Sequence, residues 1–186
     1  MENHKLKFEI GFWHPFGPHA GESAEEIIKR KQQEIKDNGW TLWSFQYRTP
    51  ETLGAWHNEI IQKKPKKVLV FCSDGVGAKS PKSQTKYCRN YTPINTIKSE
   101  KIPSAIKVPH PMGKKTKGSA FIVKDIIYPV DYEMTPVQWL YQSKEWRGDK
   151  LPTRSEYLVR PGQGELMRKF RVILELQAPY LAEIRV

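Results

Sequence analysis

Two polar turns carry the residues of this sequence that could bind or transform a ligand. The first turn, residues 13–23, is rich in Pro and Gly and carries His14, Phe16 and His19 ahead of a predicted helix. The start of a helix attracts anions, because its N–H groups and its dipole point at the ligand. We therefore expect a ligand site here; the alternative is that His14 and Phe16 pack the turn and His19 lies on the surface. The two histidines have no third ligand nearby, so no metal site is predicted.

The second polar turn is Ser73-Asp-Gly-Val-Gly-Ala-Lys-Ser80, directly after a predicted strand. A nucleotide-hydrolysing phosphate loop needs four residues between its glycine and the Gly-Lys pair, so that the backbone wraps the phosphates. Gly75, Gly77 and Lys79 are too close together for that pattern. We expect instead a polar rim, with Ser73 and Asp74 at the end of the strand and Lys79 nearby. The alternative is an ordinary glycine turn.

Aromatic residues surround the first turn. Flat π-faces stack on nucleic-acid bases, although one face of the segment 40–48 must be buried. We expect two or three of these rings to line a pocket. The aromatic set is Trp13, Phe16, Trp40, Trp43, Phe45 and Tyr47. The predicted ligand-binding residues are Trp13, His14, Phe16, His19, Trp43, Ser73 and Asp74.

The sequence favours binding over catalysis. It contains no H-E-x-x-H, no G-x-S-x-G and no H-x-E with C-x-x-C, so the motifs of zinc proteases, of serine hydrolases and of zinc deaminases are absent. Its aspartates are scattered and form no obvious cluster for Mg²⁺. We therefore predict no catalytic residue, no metal and no cofactor.

Positive charge is concentrated in one segment. The chain of 186 residues has a net charge of +11, and residues 63–117 hold thirteen Lys and one Arg against Asp74 and Glu100. A basic block beside a neutral remainder is typical of a surface that binds phosphates or an anionic membrane. We expect a nucleic-acid partner and no membrane; the alternative is solvated loop charge. The predicted nucleic-acid-binding residues are Lys79, Lys82, Lys86, Arg89, Lys114, Lys115 and Lys117.

Periodicity predicts the elements that must position these residues. The first seventy residues have the pattern β-α-β-α-β, with a capping box of Ser23 and Glu26 at the first helix and Thr49-Pro50 at the second. A basic, loop-rich insertion at about 75–117 follows, and the second half is mainly β. The predicted strands are Lys5–Trp13, Trp40–Arg48, Lys67–Cys72, Ser119–Tyr128, Glu156–Val159 and Arg168–Leu176, with a third helix from Thr135-Pro136 to Leu140.

Composition sets the class of protein. The length fits a single α/β domain spanning residues 1–186. The N-terminus has no signal-peptide form, and the longest apolar stretch, Ala120–Val130, is interrupted by Lys124 and Asp125. Cys72 and Cys88 form neither a zinc pattern nor a disulfide framework. We therefore expect a cytoplasmic protein with two free thiols.

The order of the strands resembles a known superfamily. A strand ending in a polar turn, Lys67–Asp74, precedes Ala120–Asp131, which runs into a Tyr-Pro-Val-Asp turn, and a long C-terminal strand follows. This order resembles the PUA-like superfamily, particularly its EVE and ASCH branches. The N-terminal strand with its helix and the Trp-bearing segment Trp40–Trp43 also fit that layout.

The resemblance implies a fold and a function. The fold would be mixed α+β, a partly closed β-barrel flanked by helices; the alternative is a three-layer α/β fold with a parallel β-α-β-α-β N-terminal half. The pocket would receive a flipped or modified base of DNA or RNA. Ser73 and Asp74 would read its edge, and an aromatic ring from Trp13–Phe16 or Trp43 would stack on it.

We therefore predict a nucleic-acid-binding module that reads a base in a pocket beside a basic docking surface. Two alternatives remain open at this stage. The first is an enzyme acting on a nucleotide or nucleic acid, hydrolase or nuclease-like, with its ligand at the carboxyl ends of parallel strands. The second is a protein that binds a small anionic ligand.

Overall fold

The computed structural model describes residues 10–74, 85–110, 116–134, 156–158 and 168–186. It is a mixed α+β fold, as predicted. The helices are α1 (Ala24–Asn38) and α2 (Pro50–Lys63). The strands are β1 (Gly11–Phe16), β2 (Thr41–Phe45), β3 (Leu69–Asp74), β4 (Asn90–Pro93), β5 (Glu100–Lys101), β6 (Lys117–Ile127), β7 (Tyr132–Met134), β8 (Glu156–Leu158), β9 (Arg168–Phe170) and β10 (Val172–Arg185).

Eight strands form one sheet. Its order is β2-β6-β10-β3-β1-β8, with β4 and β5 added beside β10. The first half of β10, Val172–Glu175, pairs with β3, and its second half, Ala182–Arg185, pairs with β4. Its register with β6 shifts between Leu176 and Leu181, where this change of partner occurs. The remaining strands, β7 and β9, form a separate two-stranded sheet.

The alternative of a parallel three-stranded N-terminal half is wrong. Only β1 and β3 are parallel neighbours, whereas β2 pairs antiparallel with β6. The sequence pattern identifies β2 as a strand but leaves its neighbour open. Its position follows from burial on both faces: Leu42 packs in a cluster with Val108, and Trp43 packs in the main core.

Local signals fix both helices as predicted. The Ser23 hydroxyl accepts from the Glu26 N–H at 3.2 Å, and the Glu26 carboxylate accepts from the Ser23 N–H at 2.7 Å, which completes the capping box. Gly39 ends α1 in the left-handed conformation, with φ of 82°. Thr49 caps α2, and Leu53, Trp56 and Ile60 form its buried side.

Three apolar clusters hold the layers together. The main core lies between the helices and one face of the sheet, and includes Phe12, Trp56 and Phe121. On the opposite face, Trp13, Phe71 and Phe170 form a second cluster. A third cluster covers the β2, β6 and β10 side of that opposite face, and its residues include Leu42, Cys88, Ile106, Val108 and Ile184.

The prediction of one continuous strand Arg168–Leu176 is wrong. The strand divides at Arg171, so Phe170 packs in the second cluster while Val172 and Leu174 pack in the main core. Both faces of the first half of β10 are covered, because Ile173 packs in the second cluster on the face opposite to Leu174. Glu175 is buried there beside Lys67 and Lys124, each with its Nζ 3.0 Å from a carboxylate oxygen of Glu175.

The basic insertion contains a hairpin that the sequence did not reveal. Asn90 and Tyr91 of β4 pair with Lys101 and Glu100 of β5. The predicted helix at 135–140 and the N-terminal part of the predicted first strand, residues 5–9, lie outside the described residues. Within the described ranges, no helix combines the length and the apolar character needed to cross a membrane.

Candidate functional site

The carboxyl ends of β1 and β3 lie side by side. The strands run parallel, and their last two register pairs are Pro15 with Ser73 and Phe16 with Asp74. Both polar turns predicted from the sequence therefore leave the same edge of the sheet. In open sheets with parallel strands, ligands bind at this edge. Of Asp74 the structure describes the backbone position alone.

His14, Phe16 and Trp43 form one buried group on the helix side of the sheet. The Trp43 Nε1–H donates a hydrogen bond of 3.0 Å to His14 Nε2. The rings of Phe16 and Trp43 lie 5.1 Å apart. None of the three side chains exposes more than 9% of its surface. The structure therefore brings together three predicted site residues that are far apart in sequence, in a closed arrangement.

Burial and the Trp43 contact set the chemical state of His14. Burial lowers the pKa of His14 to about 3, because the charged imidazolium would lose its hydration. Indole is a donor only, so Nε2 of the imidazole is the acceptor and the ring proton lies on Nδ1. A neutral His14 fixed in this way supports β1 and carries no charge toward a ligand.

Trp13 and Ser73 point to the other face of the sheet. Trp13 packs edge-on against Phe170 at 5.3 Å between ring centroids, in the second cluster. Its Nε1 is buried and has no acceptor among the described residues. Ser73 is also buried and alternates along β3 with Cys72, a member of the main core. The predicted ligand-binding set is therefore divided between two faces.

His19 lies in the loop between β1 and α1, beside His110. It forms an isolated β-bridge with Glu22, and its side chain hydrogen-bonds to the His110 backbone. Burial lowers the pKa of His19. His110 Nε2 lies 3.0 Å from the Lys117 carbonyl oxygen. These contacts fasten the predicted ligand loop to the end of the basic insertion.

The basic insertion presents a positively charged surface. Within residues 85–110 five basic side chains are exposed, and the one acidic residue is Glu100, whose carboxylate accepts from the Tyr91 hydroxyl at 3.0 Å. The five basic residues are Lys86, Arg89, Lys98, Lys101 and Lys107. Lys117, also predicted, lies 3.9 Å from Glu183. The predicted residues Lys79, Lys82, Lys114 and Lys115 lie outside the described residues.

A hollow of about 690 Å³ opens on this surface, between the segments 87–90 and 101–108. Arg89, Lys101 and Lys107 contribute the positive charge of its wall, and no carboxylate lies among its described lining residues. The remaining lining residues are Tyr87, Cys88, Asn90, Ile102, Pro103, Ser104, Ile106 and Val108. The arrangement can accept an anionic group and offers neutral hydrogen-bonding partners beside it.

A buried ion network fixes one wall of this hollow to α1. Lys31 Nζ donates to the Lys107 carbonyl at 2.7 Å, and the Lys107 N–H donates to the Glu34 carboxylate at 3.0 Å. Lys31 and Glu34 also pair directly at 2.8 Å, and Arg30 pairs with Glu34 at 2.9 Å and with Glu22 at 2.6 Å. Burial lowers the pKa of Lys31 to about 8, against the opposing effect of the Glu34 charge.

Sequence reasoning missed this network. The i,i+4 spacing of Arg30 and Glu34 was the available signal, but such pairs are usually solvent-exposed.

Among the described residues no group of three His, Cys, Asp or Glu side chains is placed to hold a metal ion.

Comparisons of the chain with protein-family models, with curated proteins and with solved structures find no match.

Proposed function

We propose that this protein is a nucleic-acid-binding module that holds phosphates on the basic surface of residues 85–110. The observation that carries the proposal is the hollow lined by Arg89, Lys101 and Lys107 with no carboxylate among its described lining residues. A protein surface that binds nucleic acid typically carries only positive charge, because each phosphate that it neutralises releases condensed counterions. The fixed position of the Lys107 backbone preorganises this wall.

The open shape of the hollow supports a polymer rather than a compact ligand that is fully enclosed. It is open, and further exposed basic residues, Lys86 and Lys98, lie outside its lining. A phosphate chain can occupy the hollow and continue onto these side chains. Guanidinium groups such as that of Arg89 match phosphate geometry with two parallel hydrogen bonds.

Salt dependence tests the proposal. The logarithm of the affinity for duplex DNA falls against that of the salt concentration with a slope of about 0.9 per neutralised phosphate. The triple change Arg89→Ala, Lys101→Ala, Lys107→Ala should reduce this slope by about 3 and weaken all sequences alike. Fluorescence anisotropy with labelled single- and double-stranded DNA and RNA measures both quantities.

The matched control removes three equal charges elsewhere. Lys63, Lys64 and Lys66 are exposed at the end of α2, whose buried side packs on the opposite face of the sheet from the third cluster. Their replacement by Ala should leave the slope closer to the wild-type value than the first triple change does. Equal losses in the two triple variants would show that net charge alone drives binding, and the proposed surface would be rejected.

We further propose a PUA-like, partly closed barrel that receives a flipped or modified base at the carboxyl ends of β1 and β3. The support is the register of Phe16 with Asp74 at that edge and the contact of β1 with β2 through His14 and Trp43. Flipping costs a few kcal/mol, which edge contacts must recover. Because Trp43 is buried and its N–H is engaged by His14, stacking on Trp43 requires this group to open.

Base discrimination tests this finer proposal. Asp74→Asn should reduce the preference among oligonucleotides that differ at one base or modification, while the salt slope remains that of the wild type. Lys101→Ala should do the reverse, lowering the affinity for every oligonucleotide by the same factor. Unchanged preference in Asp74→Asn would remove Asp74 from the reading site.

A further inference from the structure

The tip of the β4–β5 hairpin carries an apolar side chain that contacts nothing. Ile97 is 103% exposed, the highest value among the large apolar residues of the described chain. Lys98 follows it in the sequence. Strands β4 and β5 connect this tip to Arg89 and Lys101, which line the hollow. Ile97 therefore differs from a solitary surface isoleucine, because basic side chains lie next to it in the same hairpin.

The tip is held in place from below. The Ile94 N–H donates to the Leu181 carbonyl at 3.0 Å, and the Ile94 side chain packs on the main core. The Thr96 N–H donates to the Pro93 carbonyl at 3.0 Å, which closes a turn. The Thr96 hydroxyl contacts the carbonyl oxygens of Pro93 and Lys98, each at 3.3 Å. Ile97 is therefore presented on an ordered turn.

We propose that Ile97 is a wedge that inserts between adjacent base pairs of a duplex whose phosphates lie in the hollow. Proteins that bend DNA insert apolar side chains into a base step in this way, partly unstacking it. Lys101 is four positions after Ile97 in the sequence, so their Cα atoms are at most about 14 Å apart. This reach allows one duplex to contact both. The inference rests on the proposed nucleic-acid function and names its substrate class as double-stranded.

A membrane is the competing partner for an exposed isoleucine beside lysines. One apolar side chain gives little membrane affinity, because stable attachment needs a larger apolar face or a second anchoring signal. Insertion into a base step needs a single side chain. The described tip offers one isoleucine, so the geometry favours the duplex.

The test uses duplexes in which 2-aminopurine replaces the adenine of a T-A step. Such steps unstack easily, and the fluorescence of 2-aminopurine rises when the base is unstacked. The wild-type protein should raise the fluorescence by about twofold or more, and Ile97→Ala should abolish the rise while the protein still binds in anisotropy. Ile97→Leu should restore it. Ile61→Ala is the matched control, because Ile61 is an exposed isoleucine on α2 and should not affect the signal.

Each failure has a distinct outcome. Binding with no fluorescence rise, or a rise that persists in Ile97→Ala, overturns the wedge and leaves the proposed function standing. No binding of any nucleic acid at low salt overturns both. Ile97-dependent sedimentation with vesicles of equal parts phosphatidylcholine and phosphatidylserine, without a fluorescence rise on duplexes, assigns the tip to a membrane and overturns the wedge.

Discussion

The Trp43 indole nitrogen lies 3.0 Å from Nε2 of His14, although their strands, β2 and β1, are separated in the sheet by β6, β10 and β3. Four strand intervals would place β2 and β1 about 19 Å apart in a flat sheet. The sheet is therefore strongly curved, and these side chains join its two distant parts across the helix-side face. The hydrogen bond between His14 and Trp43 can form only because the sheet is curved in this way.

The first prediction concerns the energy of this contact. Trp43→Phe and His14→Leu should each destabilise the fold, and the double variant should lose less than the sum, with a coupling energy of about 1 kcal/mol. A neutral hydrogen bond between two buried groups has this magnitude. Urea denaturation of the four proteins measures it, and strictly additive losses would mean that the contact contributes nothing of its own.

The second prediction concerns pH. Burial holds the pKa of His14 at about 3, whereas in the unfolded chain it is near 6.5. The unfolded state therefore binds the proton first as the pH falls. As the pH falls from 6.5 to 3, protonation of His14 in the unfolded chain should lower the free energy of unfolding by up to about 1.4 kcal/mol per pH unit.

His14→Gln provides the control for that measurement. The Gln carbonyl can accept from the Trp43 N–H and does not titrate. Urea denaturation between pH 7 and pH 4 should show a shallower loss of stability in this variant than in the wild type. Parallel curves for the two proteins would contradict the assignment of a buried, neutral His14.

The third prediction concerns the network beneath the hollow. Lys31→Met leaves Glu34 and the Lys107 carbonyl without their ammonium partner in a buried position, and should cost about 3–5 kcal/mol. Lys29→Met changes the same residue type on the exposed side of α1, and should stay within about 0.5 kcal/mol. Chemical denaturation compares the two. Similar small losses would show that the network is dispensable for folding.

Local signals predicted part of this fold. Ser23, Gly39 and Thr49 act on their own neighbours in sequence, so both helices follow from the sequence alone. Strand neighbours depend on distant partners: nothing near Trp43 in the sequence indicates that β2 pairs with β6. The same holds for Arg171, where the break between β9 and β10 depends on which layer covers each side.

The candidate site was predicted unevenly for the same reason. The basic charge of residues 63–117 is visible in composition. The shared edge of β1 and β3 was expected only within a parallel sheet that also contained β2, and β2 pairs with β6 instead. The hollow was not predictable, because its wall depends on Lys107 being tied to Lys31 and Glu34 across more than seventy residues. Trp13 and Trp43 were assigned to one site, and the pleat of separate strands places them on opposite faces.

Lysine footprinting tests whether the basic surface of residues 85–110 binds nucleic acid. The protein is treated with an acetylating reagent with and without a bound oligonucleotide, and the modification of each lysine is measured by mass spectrometry. Nucleic acid should protect Lys86, Lys101 and Lys107 and leave Lys63 and Lys64 as reactive as in the unbound protein. Equal reactivity at the two groups, or protection confined to the end of α2, would contradict it.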